Sequence, residues 1–456
     1  MRQPVGWASF HATQPNIFWL TKRIVMNVKK IKEIIEDRIQ PNSWEIRRLR
    51  KKSFQRYLIF NEQESQRVVE NEKFLVTLYK QYQKDGQEVL GESTLALSEG
   101  DDLREKLSAA WEMAGLVANP VFALPEKGLA YQPVQTVDPE IKEHTFHYLD
   151  RIRDDLVSAT LDRVKLSSAE IFLELKEFEI MNSLGLELSR EENEILVEFV
   201  LLAEKGAGFG GESWGWKQGR NYSEMRLGDE LQKYARFALE SQEAVLPKSG
   251  GFAVVFSEEA LDTLFNYFML QASGPAHFQG WSRLELDQPV LPEVKGEPLT
   301  LCSNPSIPGL LQTRSFDDQG LPLARVEVIR ENIFRRRLNS KRYADYLQET
   351  ATGGATNLEV APGQKSFQEL LMDGPVYHLL RFSTFDPNPV TGAFSGEIRT
   401  GYFLKDGRAT LIKGGSVSGV MQQAFQQAYF SKEITRRAAY LGPEAVRLEG
   451  LDIAGE

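Results

Sequence analysis

Between Asp386 and Met421 the chain reads DPNPVTGAFSGEIRTGYFLKDGRATLIKGGSVSGVM, and no other stretch restricts the fold as tightly. Asn388-Pro389 and Thr391-Gly392 are turn dipeptides. Ile398 to Leu404 reads as a strand, Lys405-Asp406-Gly407-Arg408 sets Asp-Gly at a hairpin tip, and a returning strand runs through Ile412 to a glycine-rich exit at Gly414-Gly415. A strand, a two-residue turn and a returning strand fix a register, because a one-residue slip would carry every side chain to the opposite face.

A second hairpin signal of the same kind, Lys84-Asp85-Gly86, lies between Phe74 to Tyr82 and Gln87 to Leu97. The 456 residues are too many for one ordinary core, and at about 150 residues per domain two or three units are expected, of which two is the preferred count. Pro247-Lys248-Ser249-Gly250-Gly251 is the best boundary, giving an N-terminal α/β domain over 26–246 and a C-terminal domain over 252–456. Helical spacing begins cleanly only after Met26, at Val28, Ile31, Ile35 and Ile39, so residues 1–25 are expected to be a disordered extension, with Met26 a candidate start.

A net charge of −10 gives no reason to expect a polyanionic partner, so nucleic acid is not an expected ligand. Cys302 is the only cysteine, which rules out an intrachain disulfide and a cysteine-based zinc knuckle and points to the cytoplasm. The apolar run Asn16 to Leu20 is broken by Thr21-Lys22-Arg23, far short of a membrane span, and no membrane association is expected.

Along the N-terminal half, the basic run Glu45 to Lys52 reads as a solvated edge strand rather than a nucleic-acid footprint. Asp138-Pro139 opens a helix on which Glu140, Glu143, His144 and His147 crowd together; the spacing could hold zinc, but a solvated surface is the simpler reading. Gly206, Gly208 and Gly211 satisfy G-x-G-x-x-G, yet Glu212 to Lys217 has no helical period to receive a pyrophosphate, so a flexible Gly/Trp loop is expected. Beyond the boundary, Ala253 to Phe256 is a short buried strand and Ser257 reads as the N-cap of a helix with Glu258 and Glu259 in its first turn. That helix carries an apolar stripe of Leu261, Leu264, Phe265, Phe268 and Met269, and no histidine.

Several downstream segments occur in a telling order: Gly274-Pro275-Ala276-His277 through Ser282, Ser315 to Pro322, Lys341-Arg342-Tyr343-Ala344, Thr352 to Leu358, Ala361-Pro362-Gly363, then Asn388 to Ser395, and finally Val446 to Gly455. In this order they resemble the C-terminal domain of the TldD/PmbA family, also called modulators of DNA gyrase. The resemblance implies an α+β protein, with an N-terminal α/β domain followed by a large antiparallel, barrel-like C-terminal domain. It also implies a cytoplasmic, heteromeric metalloprotease acting on peptides or unfolded polypeptides, in which one subunit binds zinc through H-E-x-x-x-H and a PmbA-like (TldE-like) subunit lacks the motif. Two histidines on adjoining helical turns would hold zinc, and the glutamate between them would take a proton from bound water.

The corresponding turn here is Asn266-Tyr267-Phe268-Met269-Leu270-Gln271, so Asn266, Tyr267 and Gln271 stand at degenerate metal-site positions. The resemblance therefore implies a non-catalytic subunit with no cofactor of its own, zinc being carried by a TldD-like partner; pairing with itself as a dimer is the other arrangement. Asn388, Thr391, Gly392, Phe394 and Ser395 are candidates for a groove in which an extended peptide adds as a strand. Glu331-Asn332-Ile333 and Gly354 depart from the family pattern. The basic cluster Arg330, Arg335, Arg336, Arg337, Lys341 and Arg342 is read as surface balanced by acids. The rival readings are an independent hydrolase using His277 or His378, and a scaffold or regulator.

Overall fold

The computed structural model describes residues 27–158 and 162–456; the extension expected over residues 1–25 lies outside them. The described residues form an α+β fold built on one N-terminal and two C-terminal sheets, mostly antiparallel. The first sheet comprises β1 (Ser43–Ile59), β2 (Glu62–Lys84), β3 (Gln87–Leu97), β4 (Val164–Asn182), β5 (Glu187–Lys205) and β6 (Gly208–Gly219), in the order β3-β2-β1-β4-β5-β6. At the β2–β3 tip Asp85 and Gly86 both take positive φ, 51° and 76°, as a two-residue turn of matching twist requires.

Two expectations change here. β1 is a central strand, flanked by β2 and β4, not an edge. Its basic residues are answered across the sheet: Arg48 pairs with Glu72 and Glu179, both at 2.7 Å, and Lys51 with Glu174 at 2.8 Å. The Gly/Trp stretch is not a loop but strand β6, covered by the helix Leu227–Glu240. Its glycines let that helix approach: a Cβ on Gly215 would lie 2.6 Å from the Phe199 ring and 2.9 Å from the Tyr234 ring.

The C-terminal half supplies β7 (Gly250–Ser257), β8 (Leu301–Asn304), β9 (Val326–Arg330), β10 (Ile333–Phe334), β11 (Asn357–Val360), β12 (Val376–Phe385), β13 (Ala393–Lys405), β14 (Arg408–Ile412), β15 (Ser416–Val420), β16 (Ala428–Phe430), β17 (Ile434–Arg437), β18 (Tyr440–Pro443) and β19 (Ala445–Ala454). One sheet runs β10-β9-β8-β11-β18-β17. In the other, β12-β7-β19-β15-β13 closes on itself because β13 also pairs with β12, making a five-stranded barrel with β14 attached to β13. A closed ring of five strands cannot be antiparallel throughout, since an odd number cannot alternate; one pair must be parallel, and it is β7–β12. The β13–β14 hairpin turns at Asp406 and Gly407, φ 50° and 73°. The departure at Glu331-Asn332 still makes a two-residue turn between β9 and β10, with φ of 47° and 67°.

Between the barrel and the other C-terminal sheet lies the helix Glu259–Gln271, here called the central helix. Its Leu261, Leu264, Phe265 and Phe268 share one core with Val254, Phe256 and Leu379 of the barrel and with Leu301, Val328 and Leu358 of the neighbouring sheet. Phe265 stacks on Tyr440 at 6.0 Å between centroids, and Phe268 meets Phe425 edge-on at 4.8 Å. Burying such a ring contributes about 1.5–3 kcal/mol, so this helix is a fixed element against which other groups are positioned. Among the described residues no helix is long and apolar enough to cross a membrane.

Candidate functional site

The C-terminal end of the central helix opens onto a cavity of about 510 Å³, lined in part by Tyr267, Phe268, Gln271, Trp281, Thr391 and Gln422. Tyr267 and Gln271 are four residues apart and so share a helix face. Asn266 falls on another face, is exposed, and is not part of this lining. The Gln271 amide donates from Nε2 to the Pro389 carbonyl at 2.6 Å, tying the helix to the turn of Asp386–Met421. The Gln422 amide donates to the Tyr267 phenol. Burial pushes that phenol up, the Gln422 contact opposing it, so it stays neutral near pH 7.

The turn itself is organised by Asn388, whose Oδ1 accepts from the N–H groups of Val390 and Thr391, both at 2.9 Å. Thr391 is exposed and lines the cavity. Gly392, at φ +71°, is pressed against Tyr267 and Gln422. Phe394 turns inward, only 3% exposed, and packs edge-on against Phe385 in the barrel core. Ser395 is exposed on β13, opposite Ser418. Of the five turn residues, then, Thr391 lines the cavity, Gly392 packs behind it against Tyr267 and Gln422, Asn388 shapes the turn, and Phe394 and Ser395 face elsewhere. Gln422 escapes sequence reasoning because no motif contains it, and Trp281, though inside the Gly274–Ser282 segment, because nothing local places that segment beside the turn.

The residues present do not fit a zinc ion. Zinc takes thiolate, imidazole or carboxylate ligands, whereas Tyr267, Gln271, Gln422 and Thr391 offer a neutral phenol, two amides and a hydroxyl. Among the described residues, no group of three or more His, Cys, Asp or Glu side chains could hold a metal ion, the Glu140/His144 region included. His277 sits on the short helix Gly274–Phe278, outside the cavity lining. Asp317 caps its own turn, accepting from the N–H groups of Gln319 and Leu321 at 2.9 Å, and Asp318 pairs with Arg190 at 2.6 Å. The basic cluster is surface only in part: Arg335 pairs with Asp287 and Lys341 with Asp345, but Arg337 is buried, 2% exposed, against Glu349, and Arg342 bonds Glu92 of β3 across the two halves.

Residues 249–455 match the family described as the PmbA/TldA metallopeptidase C-terminal domain. That match takes in the barrel and the sheet beside it, from β7 to β19. An uncharacterised protein of Methanocaldococcus jannaschii is 23% identical over 205 residues, 42% of this chain and 49% of its own length. The match thus spans about half of that relative. The fold extends over nearly the whole chain in solved structures. TldE from Thermococcus kodakarensis superimposes with a TM-score of 0.75 at 20% identity, covering 93% of this chain and 100% of that one. A candidate modulator of a DNA gyrase from Thermotoga maritima gives 0.76 at 19% identity, covering 94% and 100%. A candidate modulator of DNA gyrase from Bacteroides thetaiotaomicron gives 0.78 at 14% identity, covering 94% and 99%. The matched residues 249–455 include both the central helix and the turn that meets it.

Proposed function

We propose that this chain is the metal-free, non-catalytic subunit of a TldD/PmbA-type heteromeric metalloprotease, and that it binds peptide in the cavity beside the central helix while a zinc-bearing homologue supplies the hydrolytic chemistry. One observation carries the reading: on the helix where the resemblance implies zinc ligands, Tyr267 and Gln271 hold Gln422 and Pro389 instead. The frame of the site is kept and its polar groups are amide-like. A carboxamide presents both a donor and an acceptor, which is what a peptide main chain offers in return. The apolar walls, Trp281 and Val290 among them, suit a side chain of the bound segment.

Mixing the purified protein with a homologue carrying H-E-x-x-x-H tests this. Co-elution and peptidase activity found only in the mixture are expected, and Gln422→Ala should lower that activity while co-elution persists. A monomer indifferent to the homologue, or a protein that hydrolyses peptides alone with one tightly held zinc, overturns the proposal.

A further inference from the structure

On the outer face of the barrel, the structure uses Ser257 for something other than capping. Successive strand residues point to opposite faces. Val254 and Phe256 enter the main core, while Val255 packs outside with Leu370, Val376 and Ala445, so Ser257 also faces outward. On β12, Tyr377 and Leu379 point in and His378 points out. The parallel β7–β12 pairing sets His378 beside Val255, and the Ser257 Oγ lies 2.9 Å from His378 Nε2. The expected N-cap position therefore passes to Glu258, and the central helix starts with no side-chain cap.

Three further features surround this pair. The His378 ring is held between Phe367, edge-on at 5.3 Å, and Tyr402, nearly parallel at 6.5 Å. Glu258 has φ 59° and ψ −137°, a region that is almost exclusively glycine's and that costs a non-glycine residue about 1–3 kcal/mol, strain that proteins concentrate at working sites. The carboxylates of the first helical turn are each matched: Glu258 with Lys233 at 2.9 Å, Glu259 with the Trp216 indole at 2.9 Å and with Arg381, and Asp262 with Arg437 at 2.7 Å. Of the first-turn N–H groups, that of Leu261 donates to the Glu258 carbonyl at 3.2 Å, and no side chain caps the others. Ser257, Glu258 and His378 line a cavity of about 320 Å³ between the two halves, with Lys233 and Phe237 of the helix Leu227–Glu240 on one side and Tyr402 and Arg437 on the other.

We propose that Ser257 and His378 are a nucleophile–base pair for acyl transfer, acting on short-chain carboxylic esters admitted to this cavity. The Ser257 Oγ forms a bond to the carbonyl carbon while its proton passes to His378 Nε2. The bond from that carbon to the alcohol oxygen breaks, and Nε2 returns the proton to the departing alkoxide. Water then attacks the acyl-serine carbon, giving up a proton to Nε2; the carbon–Oγ bond breaks, Oγ recovers that proton, and one acid and one alcohol have formed from ester and water. Burial holds His378 down at about 4, the Glu258 charge opposing, so the ring is neutral near pH 7. This centre is separate from the peptide cavity and needs no metal partner.

A fluorophosphonate probe added to the full chain tests the pair: Oγ displaces fluoride from phosphorus and retains the phosphonyl group. A mass adduct on Ser257, lost on heat unfolding and absent from Ser257→Ala, is expected. His378→Gln keeps a hydrogen-bonding partner for Oγ but accepts no proton, and should slow both labelling and p-nitrophenyl acetate hydrolysis by roughly 100-fold. No adduct on Ser257 of the folded wild type, or ester hydrolysis undiminished in Ser257→Ala, overturns the proposal; the wild-type result decides even if a variant fails to fold. Gln422→Ala should label at the wild-type rate, so the two proposals fail separately.

Discussion

Replacing Gly392 with alanine should loosen the cavity turn by an amount that can be worked out from its neighbours. Gly392 sits at φ +71°, where a Cβ costs about 1–2 kcal/mol. The added atom would lie 2.2 Å from Gln422 Oε1 and 2.9 Å from the Tyr267 hydroxyl. Both contacts are with the far ends of side chains, so Gln422 can swing away, at the loss of its bond to Tyr267, worth about 1 kcal/mol. The total is about 2–3 kcal/mol. Amide hydrogen exchange read by mass spectrometry on peptides from 386–421 isolates this local opening, which a global melt of a two-part chain would blur. In the regime where exchange follows the opening equilibrium, it should quicken by about 30- to 150-fold. In a Gln422→Ala background only the backbone cost remains, so the two changes should couple by about 1 kcal/mol. Exchange in Gly392→Ala within threefold of wild type, or strict additivity with Gln422→Ala, would refute the reasoning.

Arg437→Met strands Asp262 without its cation, leaves Glu258 with Lys233 alone, and should destabilise by about 3–5 kcal/mol, read as a lower denaturant midpoint for the C-terminal transition. Lowering the pH acts through His378: its folded value of about 4 lies below the unfolded 6.5, so the unfolded chain binds the extra proton and stability falls as pH drops from about 6.5 to about 4, by up to about 3 kcal/mol. His378→Gln should flatten the pH dependence over that window. The neighbouring Glu258, desolvated but held down to about 2 by Lys233 and Arg437, acts in a lower one, losing its contribution as pH falls from about 4.5 through 2. Gly215→Val drives a branched side chain into the Phe199 and Tyr234 rings and should cost about 1–3 kcal/mol, measurable as a drop in midpoint for the N-terminal sheet.

The two Asp-Gly hairpins are legible in the sequence because their geometry is local: the residues that need positive φ are the ones at the tips. Whether a strand lies at an edge is not local. The basic run of β1 looks solvated until Glu72, Glu174 and Glu179 arrive from other strands to meet it. Glycine is ambiguous in the same way, since the residues that suggest a loose loop at Gly206–Gly215 are those that admit the helix over β6. Of the candidate site, the helix face bearing Tyr267 and Gln271 follows from spacing, and Asn388-Pro389 and Thr391-Gly392 announce their turn. Their meeting does not follow, because Gln271 and Pro389 are 118 residues apart. Ser257 misleads for a sharper reason: the local preference for a serine cap loses to a histidine 121 residues away, delivered by the strand pairing. The barrel itself becomes visible in the sequence only through the family resemblance.

The odd-numbered barrel also sets a timetable. β7, its first strand in chain order, has β12 and β19 as neighbours, so the residue pairs it must form include Val255 with His378 and Val254 with Leu448. A chain leaving the ribosome at about 5–20 residues per second would hold both edges of β7 unpaired until β12 ends at Phe385, roughly 130 residues and on the order of ten seconds later. Throughout that interval Val254, Val255 and Phe256 form an apolar strand without a partner, the kind of segment that invites pairing with another chain. Production of this protein should therefore depend on what shields β7 during translation, more than on the stability of the finished barrel.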